Sequence, residues 1–370
     1  MGCSPFGKVD WVRRLDAEEL PRNARLISVA TAVPDNVIEQ ADAKMHARAL
    51  FGSRMRDYDR LAGVFEATGI ERRYSVRPVP WFLEAHGWPD RTEAYVAGAS
   101  ELFERVTRKA LDAAGLQPTD IDAVVTVSST GVATPSLEAR MLPKMGFRPD
   151  VERTPVFGLG CAGGVTGLAI ASRLASARTG TTVLLVAVEL CTLAFRLDRA
   201  TKADVIATSL FGDGAAAAIV SSDDDLAAIA HFSGATEHLW PDTLDIMGWG
   251  VDDVGLGVLL SRSLPKFVEK RYRASFGEAM ERLSIERADV ERVVCHPGGT
   301  KVLEAIESAL AMDAGTLDIE RGVMRDFGNM SSPTVIFVLE RAIEAKLPPQ
   351  SLLAALGPGF TASFVALKAA

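Results

Sequence analysis

Cysteine is scarce in this chain, and its spacing excludes two common scaffolds. The 370 residues contain four cysteines, and no two of them form a CxxC pair. Disulfide-stapled folds and zinc ribbons both depend on closely spaced cysteines, so neither is expected. Because disulfides are rare in reducing compartments, the default prediction is a reduced, cytoplasmic setting.

Histidine pairs and long apolar runs are missing as well. The five histidines form no HxxxH or HExxH pattern, so no metal site is predicted. The longest apolar run, residues 182–188, is far too short for a membrane span and fits a buried strand. The first 20 residues carry charges throughout, unlike the apolar core of a signal peptide. We therefore expect no integral membrane segment.

Basic residues are outnumbered, which bears on the partners. The chain has 40 Lys and Arg against 48 Asp and Glu, for a net charge of −8, and it contains no long Lys/Arg run. A polyanion such as DNA or RNA is repelled overall by such a protein, so no nucleic-acid partner is expected. Any small anionic ligand must be held by local Arg or Lys side chains.

What is present is a globular composition with an internal repeat. Hydrophobic residues make up 48% and charged residues 24%, and the length suits two domains or one duplicated fold. A DxxxVV pattern occurs twice, with Asp120 and Asp289 separated by 169 positions (289 − 120). The two Gly-rich turns that each open an apolar helix, at Cys161 and Asn329, are separated by 168 (329 − 161). A short match can arise by chance, but two features at a constant offset favour duplication.

The repeat predicts an α/β fold built from two copies of a β-α-β-α-β-β unit. The polar stretch at 221–225 marks the junction, so we assign residues 1–224 to an N-terminal half and residues 225–370 to a C-terminal half. If the copies pair about a pseudo-twofold axis, the two helix starts face one region. That arrangement predicts that Cys161, Asn329 and His296 meet.

Cys161 is the first candidate for chemistry. It follows a predicted strand and lies among four glycines, at 158, 160, 163 and 164, in a sharp turn before a helix. A nucleophile elbow has this form, and a thiol at a helix N-terminus is expected to favour the thiolate. The alternative is an inert buried cysteine, which is the usual fate of a lone Cys. The dense glycine frame favours the functional interpretation, whereas Cys191 and Cys295 fit the inert one.

His296 and Asn329 are candidates because of their positions. His296 ends a predicted strand and precedes Pro-Gly-Gly, where a side chain reaches a cleft; Asn329 is also an ordinary N-cap before Ser-Ser. A Cys, a His and an Asn together suit acyl transfer without a cofactor, with the last two stabilising an oxyanion or an enolate. The segments around Cys161, His296 and Asn329 contain no acidic residue. This fits the chemistry, because a carboxylate would repel the anion that develops there. The Phe211-Gly-Asp-Gly turn is either a structural, hairpin-like corner or a gate to a pocket.

Five motifs together resemble those of one enzyme family. GCAGG at 160–164, LFGDGAA at 210–216, HPGG at 296–299, GNMSS at 328–332 and GPG at 357–359 occur in the order found in type III polyketide synthases, the chalcone and stilbene synthase superfamily. The resemblance runs from about residue 25 to the C-terminus. It implies a thiolase fold of five layers, α-β-α-β-α, and a homodimer.

The resemblance also implies roles for residues of this chain. Cys161 matches the acyl-accepting nucleophile, His296 and Asn329 match the pair that supports decarboxylation, and Phe211 matches the gatekeeper of the cavity. It implies acyl-CoA and malonyl-CoA as substrates, with no cofactor, metal or carrier protein.

Four positions depart from the plant enzymes of that family. Cys191 and Ala194 stand where chalcone-type enzymes have cavity threonines, and Val258 stands where they have a second gatekeeper Phe. Thr134 replaces a Met at a pocket contact across the dimer interface. Smaller side chains suggest a roomier or more apolar tunnel, and the MGWGVDD stretch at 247–253 is similar to bacterial members that make alkylresorcinols or alkylpyrones. These features predict a fatty acyl-CoA starter.

The CoA-binding cations are the least marked feature. The family's basic residues precede the stretch that reads GIERRY at 69–74, where Arg54, Arg56 and Arg60 are available, and Lys301 follows HPGG. These four are the candidates for binding CoA, although a run of charges is also typical of a solvated helix face.

Three other functions compete with an alkylresorcinol- or alkylpyrone-forming enzyme. One is a condensing enzyme similar to ketoacyl synthase III, which shares the fold and the Cys-His-Asn set. Another is a type III synthase with a small or aromatic starter. The third is a catalytically silent acyl-binding homologue, against which the intact Cys, His and Asn motifs argue.

Overall fold

The computed structural model describes residues 24–370. The first 23 residues, which include Cys3, the charged N-terminal segment and the start of the predicted N-terminal half, lie outside the described residues. Within the described part, no helix is both long enough and apolar enough to span a bilayer.

The described residues form strands and α-helices with the following bounds. The strands are β1 (Arg25–Ala32), β2 (Asn36–Glu39), β3 (Arg72–Ser75), β4 (Ala123–Val127), β5 (Glu152–Val156), β6 (Thr182–Leu190), β7 (Asp213–Ser221), β8 (Ala230–Leu239), β9 (Met247–Val251), β10 (Leu256–Leu260), β11 (Arg292–Cys295), β12 (Gln350–Gly357) and β13 (Thr361–Ala369). The α-helices are α1 (Gln40–Phe51), α2 (Tyr58–Leu61), α3 (Val64–Ala67), α4 (Trp88–Ala114), α5 (Leu137–Met145), α6 (Gly163–Ala177), α7 (Lys202–Leu210), α8 (Leu264–Leu283), α9 (Thr300–Leu310), α10 (Asp318–Phe327) and α11 (Thr334–Glu344).

One large mixed sheet carries the predicted duplication. Its strand order is β11-β12-β13-β8-β1-β7-β6-β4-β5. On one side of the centre β4 runs parallel to β6, and β6, β7 and β1 alternate in direction; on the other side β11, β12, β13 and β8 repeat this pattern. The halves join where β1 pairs antiparallel with β8. This pseudo-symmetric sheet confirms the duplicated α/β fold.

The central layer consists of α6 and α11. Alternate residues of the buried strands face opposite ways: Val125 and Leu185 pack against α6 and α11, whereas Val124 and Leu184 pack with α4 and α5. In the second half, α8 and α9 cover the outer face of β11, β12 and β13. Two outer helical layers, two halves of the sheet and one central helical layer give the thiolase arrangement. Strands buried on both faces explain the continuous apolar runs in the sequence.

The second copy departs from the first at one strand. In the first half, β5 precedes the Gly-rich turn of Cys161, but the equivalent segment before α11 makes only a single parallel bridge, between Phe211 and Asn329. The Phe211-Gly-Asp-Gly turn joins helix α7 to strand β7, so the expectation of a hairpin-like corner was wrong. Phe211, the C-cap of α7, forms the bridge to Asn329.

Candidate active site

The turn that carries Cys161 is held by backbone hydrogen bonds and by close packing. Cys161 lies in a 3₁₀ turn, Gly160–Ala162, directly before α6. The hydroxyl of Ser129, just beyond β4, accepts hydrogen bonds from the N–H groups of Gly158 and Gly160, at 3.2 Å each. Gly160 has φ +47°, and a Cβ there would lie 2.7 Å from Cδ of Pro358. The GCAGG and GPG turns approach so closely here that only glycine fits this position.

The second half reaches the same point through the starts of the two central helices. A Cβ on Gly164 would lie 2.3 Å from the carbonyl oxygen of Ser332, so the starts of α6 and α11 are in backbone contact. The predicted convergence of the two Gly-rich turns is therefore present in the structure. It places the Asn329–Ser332 segment next to Cys161.

Asn329 is held in place by hydrogen bonds of its backbone N–H, its backbone carbonyl and its side chain. Its N–H donates to the carbonyl oxygen of Leu210 at 2.9 Å, and its carbonyl accepts from the N–H of Gly212 at 3.0 Å. The side-chain amide donates to the carbonyl of Gly298 at 3.3 Å and accepts from the N–H of Ser331 at 2.8 Å. Ser331 has φ +60°, a strained conformation for a residue with a side chain.

His296 lies at the end of β11, where the sequence predicts a cleft. Its N–H donates to the carbonyl of Ala354 at 2.8 Å, and its side chain is 4% exposed. Neither ring nitrogen has a hydrogen-bond partner among residues 24–370. Burial lowers the pKa of His296 to about 3, so the imidazole is neutral at neutral pH. A buried imidazole with free nitrogens can both accept a proton and donate a hydrogen bond.

The protonation state expected for Cys161 was wrong. Some of the residue remains accessible, but the protein around the thiol excludes water, and this desolvation raises the pKa of Cys161 to about 11. A hydrogen bond from the Ser331 side chain lowers the pKa of the thiol by less than burial raises it. The negative charge of Glu189 raises this pKa further, and a hydrogen bond from the Asn329 side chain lowers it. A turn before a helix is not enough to stabilise an isolated thiolate here, so ionisation needs a proton acceptor.

Glu189 is a buried acid that the sequence motifs did not reveal. It is 0% exposed at the end of β6 and accepts hydrogen bonds from the Ser129 N–H and the Thr130 hydroxyl, both at 2.8 Å. The Ser332 hydroxyl donates to its other oxygen at 3.0 Å. Burial raises the pKa of Glu189 to about 7 despite these bonds. The three motifs lack acids, but a carboxyl group from another strand lies near Cys161.

Ser331 and Asp213 were also missed. Ser331 hydrogen-bonds to the Cys161 thiol. Asp213, in the GDG turn, accepts from the N–H and hydroxyl of Thr192 at 2.8 and 2.7 Å, and from the N–H of Val76 at 2.9 Å. Burial raises the pKa of Asp213 to about 7. Through Thr192, Asp213 anchors the 3₁₀ turn that contains the predicted pocket residues Cys191 and Ala194.

Three of the predicted pocket residues come together in one cluster. Ala194 and Val258 are 7% and 4% exposed and pack with Ala207, and the rings of Phe211 and Trp249 lie against them. The centroids of those two rings are 6.1 Å apart. Cys191 is fully buried at the start of the 3₁₀ turn that contains Ala194. Thr134 lies elsewhere, exposed on the loop before α5.

The four predicted CoA-binding cations differ in their surroundings. All four are exposed. Arg54 donates to the backbone carbonyls of Leu197 and Asp198, and Arg60 pairs with Asp57. In the described part of the chain, no ion pair or hydrogen bond is made by the side chains of the other two, which are Arg56 and Lys301.

Lys301 follows a residue that is hydrogen-bonded to the end of α3, shortly after the three arginines in the chain. Its neighbour Thr300 donates its hydroxyl to the carbonyl of Thr68 at 2.7 Å, which joins the start of α9 to the end of α3. Arg54, Arg56 and Arg60 precede that segment in the chain.

The arrangement has the parts of an acyl-transfer site. A thiol nucleophile lies beside the side-chain amide of Asn329. That amide also donates to the carbonyl of Gly298, two residues after the neutral imidazole of His296. Donors of this kind stabilise an oxyanion in a site from which water is excluded. The cluster near Cys191 is lined by apolar side chains.

Comparisons with known proteins agree over almost the whole chain. Residues 16–224 match the N-terminal domain of chalcone and stilbene synthases, and residues 231–369 match the C-terminal domain. The sequence is 34% identical to a 1,3,6,8-tetrahydroxynaphthalene synthase of Streptomyces peucetius subsp. caesius, over 94% of each chain. It is 32% identical to a putative chalcone synthase of Bacillus subtilis, over 92% of this chain and 98% of that one.

A crystal structure shows the same fold. The 1,3,6,8-tetrahydroxynaphthalene synthase of Streptomyces coelicolor A3(2), described as a bacterial type III polyketide synthase, superposes with a TM-score of 0.88 at 28% identity. The match covers 93% of this chain and 99% of that one.

Proposed function

The chain belongs to the chalcone and stilbene synthase family and is a type III polyketide synthase, and on that basis we propose that it extends a fatty acyl-CoA starter. Malonyl-CoA supplies the extender units, and the chain cyclises to a resorcinol or a pyrone. The observation that supports this choice is the cluster of Ala194, Ala207 and Val258 against Phe211. Small apolar side chains leave space for an alkyl chain and offer it no polar partner.

Three residues perform the chemistry in this proposal. The Cys161 thiol gives its proton to His296, and the thiolate attacks the starter thioester, which forms an acyl-enzyme and releases CoA. Malonyl-CoA then loses CO₂, and its enolate oxygen accepts hydrogen bonds from His296 and Asn329. The enolate carbon attacks the acyl thioester, forms the C–C bond and returns the Cys161 thiolate.

Arg56 and Lys301 hold the CoA phosphates in the same proposal. They are exposed cations with no partner among the described residues, which leaves their charge available to an anionic ligand. Arg54 and Arg60 are already engaged, and we assign them to shaping the entrance.

The proposed assembly is a homodimer in the cytoplasm. Strand β5 is an edge strand of the large sheet, and the nearby side chains of Phe157 and Val132 are 61% and 52% exposed. An unpaired edge beside exposed apolar groups is suited to association with a second copy. Thr134 lies on the same loop as Val132 and contacts the partner's pocket in this arrangement. Sedimentation of Phe157→Glu against the wild type tests the dimer: a monomeric variant supports it, and an unchanged mass contradicts it.

A second candidate is a synthase with a small starter. A relative 34% identical to this chain is named as a tetrahydroxynaphthalene synthase, and that product carries no alkyl chain. The two candidates differ in whether an added fatty acyl-CoA appears in the product. A single condensation per product would instead indicate an enzyme similar to ketoacyl synthase III. No decarboxylation of malonyl-CoA would indicate a silent acyl-binding protein.

Mass spectrometry of products from malonyl-CoA with a panel of acyl-CoA starters tests the proposal. We expect products that carry long alkyl chains, and Val258→Phe should shift the preferred starter to shorter chains. Leu259→Phe is the matched control, since Leu259 is the next residue on β10 and is 42% exposed. Products formed only from malonyl-CoA or from aromatic starters would refute the fatty acyl proposal.

A further inference from the structure

Arg73 is a fully buried cation without an acidic partner. It lies in β3, 1% exposed, and no carboxylate of residues 24–370 is within ion-pair distance of it. Burial lowers the pKa of Arg73 to about 9, which still leaves it charged at neutral pH. An unpaired buried charge is costly unless polar groups surround it. The polar groups that bind the guanidinium therefore show which part of the structure its charge stabilises.

Those partners are carbonyl oxygens at the end of α7. Nη1 of Arg73 donates to the carbonyls of Thr208, at 2.5 Å, and Phe211, at 3.4 Å. Nη2 donates to Gln40 at 2.7 Å, and the Gln40 amide in turn donates to the carbonyl of Ser209 at 3.0 Å. The last carbonyls of a helix have no partner within the helix and carry partial negative charge. Arg73 and Gln40 together cap this end.

The capped end carries two groups of the active site. Phe211 is the C-cap of α7, and the segment from Leu210 to Gly212 forms the parallel bridge to Asn329 with both backbone hydrogen bonds. The Arg73 side chain also passes against the backbone of Gly212 and Gly328, on either side of that bridge. A shift of this cap moves the Phe211 ring and the Asn329 amide together.

We propose that Arg73 is a positioning residue that sets Phe211 and Asn329 as one unit. Acceptance of the starter at Phe211 and decarboxylation at Asn329 are then adjusted by one buried guanidinium. The inference rests on the proposed function, because it takes the roles of Phe211 and Asn329 from there. It predicts that substitutions of Arg73 act through those two residues.

A double-mutant cycle on malonyl-CoA decarboxylation tests this. Arg73→Gln should lower kcat by about 10- to 100-fold, the loss that follows from slight misplacement of a reacting group, with little change in KM. In the Asn329→Ala background the same substitution should leave kcat nearly unchanged, because the group it positions is gone. Arg73→Lys, which keeps the charge but loses the planar fork, should recover part of the rate.

Controls separate positioning from folding. Arg148→Gln removes an arginine that binds Thr119 and Asp122 before the start of β4, whereas the active site lies beyond the end of this strand. This variant should leave kcat unchanged. If Arg73→Gln does not fold, Arg73→Lys and Gln40→Ala take its place in the cycle, since Gln40 caps the same helix end. Equal losses of kcat in both backgrounds, or no loss in either, would overturn the inference.

A failure of the proposed function can be distinguished from a failure of the inference about Arg73. If Asn329→Ala alone retains full decarboxylation, the role of Asn329 is refuted, and the Phe211→Ala background decides the inference instead. Arg73→Gln should then raise KM for a long acyl-CoA starter in the wild type but not in Phe211→Ala. An equal rise in both backgrounds would overturn it.

Discussion

The hydroxyl of Ser332 donates a hydrogen bond of 3.0 Å to the buried carboxyl group of Glu189. Ser332 lies three residues after Asn329 in the second half of the chain, and Glu189 is the penultimate residue of β6 in the first. The bond therefore joins the two halves at the point where Cys161 lies. Because Glu189 also raises the pKa of the Cys161 thiol, one carboxyl group affects both stability and reactivity.

Glu189→Gln should change how stability depends on pH. The folded state raises the pKa of Glu189 from 4.5 to about 7, so between these values it binds more protons than the unfolded chain. The free energy of unfolding of the wild type then falls as pH rises through this window, by up to about 3 kcal/mol from this group, and is level above it. Gln does not titrate, and Asp213 contributes equally to both proteins.

Urea denaturation from pH 4.5 to 8 measures this effect. The stability of the wild type relative to Glu189→Gln should decline steadily as pH rises. A difference that stays constant across the range would mean that the Glu189 carboxyl keeps an ordinary pKa.

His296 should control the ionisation of Cys161. Burial is the main cause that raises the pKa of the thiol to about 11, so in His296→Ala the rate of alkylation by iodoacetamide should rise with pH up to that region. In the wild type, His296 can take the proton, and the resulting ion pair avoids an isolated buried charge. We therefore expect faster alkylation of the wild type at pH 7, with the label located on Cys161 by mass spectrometry. Identical pH profiles would show that the imidazole does not share this proton.

Gly164→Ala should damage the contact between the halves. The added methyl group would lie 2.3 Å from the Ser332 carbonyl oxygen, which is backbone and cannot swing away. We expect a loss of about 1–3 kcal/mol in stability, as for overpacked cores. Gly277→Ala is the control: this glycine lies within α8 with open space at its Cβ, and should gain about 0.5–1 kcal/mol. Equal thermal shifts in both variants would contradict the close contact.

Neutralising the free cations should weaken CoA binding. Arg56→Ala and Lys301→Ala should each raise KM for malonyl-CoA by about two- to fivefold, the effect of one exposed charge pair, and the change should shrink at high salt. Arg60→Ala is the matched control, because Arg60 already pairs with Asp57. Equal effects from all three variants would indicate a general loss of positive charge rather than a defined contact.

The sequence predicted what depends on local pattern. The DxxxVV repeat located β4 and β11, and β11 ends at Cys295, directly before His296 as predicted. The glycines around Cys161 predicted a tight turn before a helix because close backbone contact excludes side chains. The constant offset also predicted that Asn329 would lie beside Cys161.

The rest depends on contacts that no short pattern records. Glu189 is one acid at the end of an apolar strand, and its partners come from Ser129, Thr130 and Ser332. The thiolate expected for Cys161 failed for a similar reason: helix position is visible in sequence, whereas exclusion of water is set by the surrounding chain. Arg73 was visible only as one of two arginines in the GIERRY stretch, and its burial and its partners were not.

The backbone contact between Gly164 and Ser332 has a consequence for synthesis of the protein. His296 and Asn329 follow Cys161 by 135 (296 − 161) and 168 (329 − 161) residues, so the nucleophile leaves the ribosome long before its partners exist. The packing of Ser332 against α6 can form only after the start of α11 has been made. The thiol therefore lacks both His296 and Asn329 through most of translation, and the site is completed by late segments of the chain.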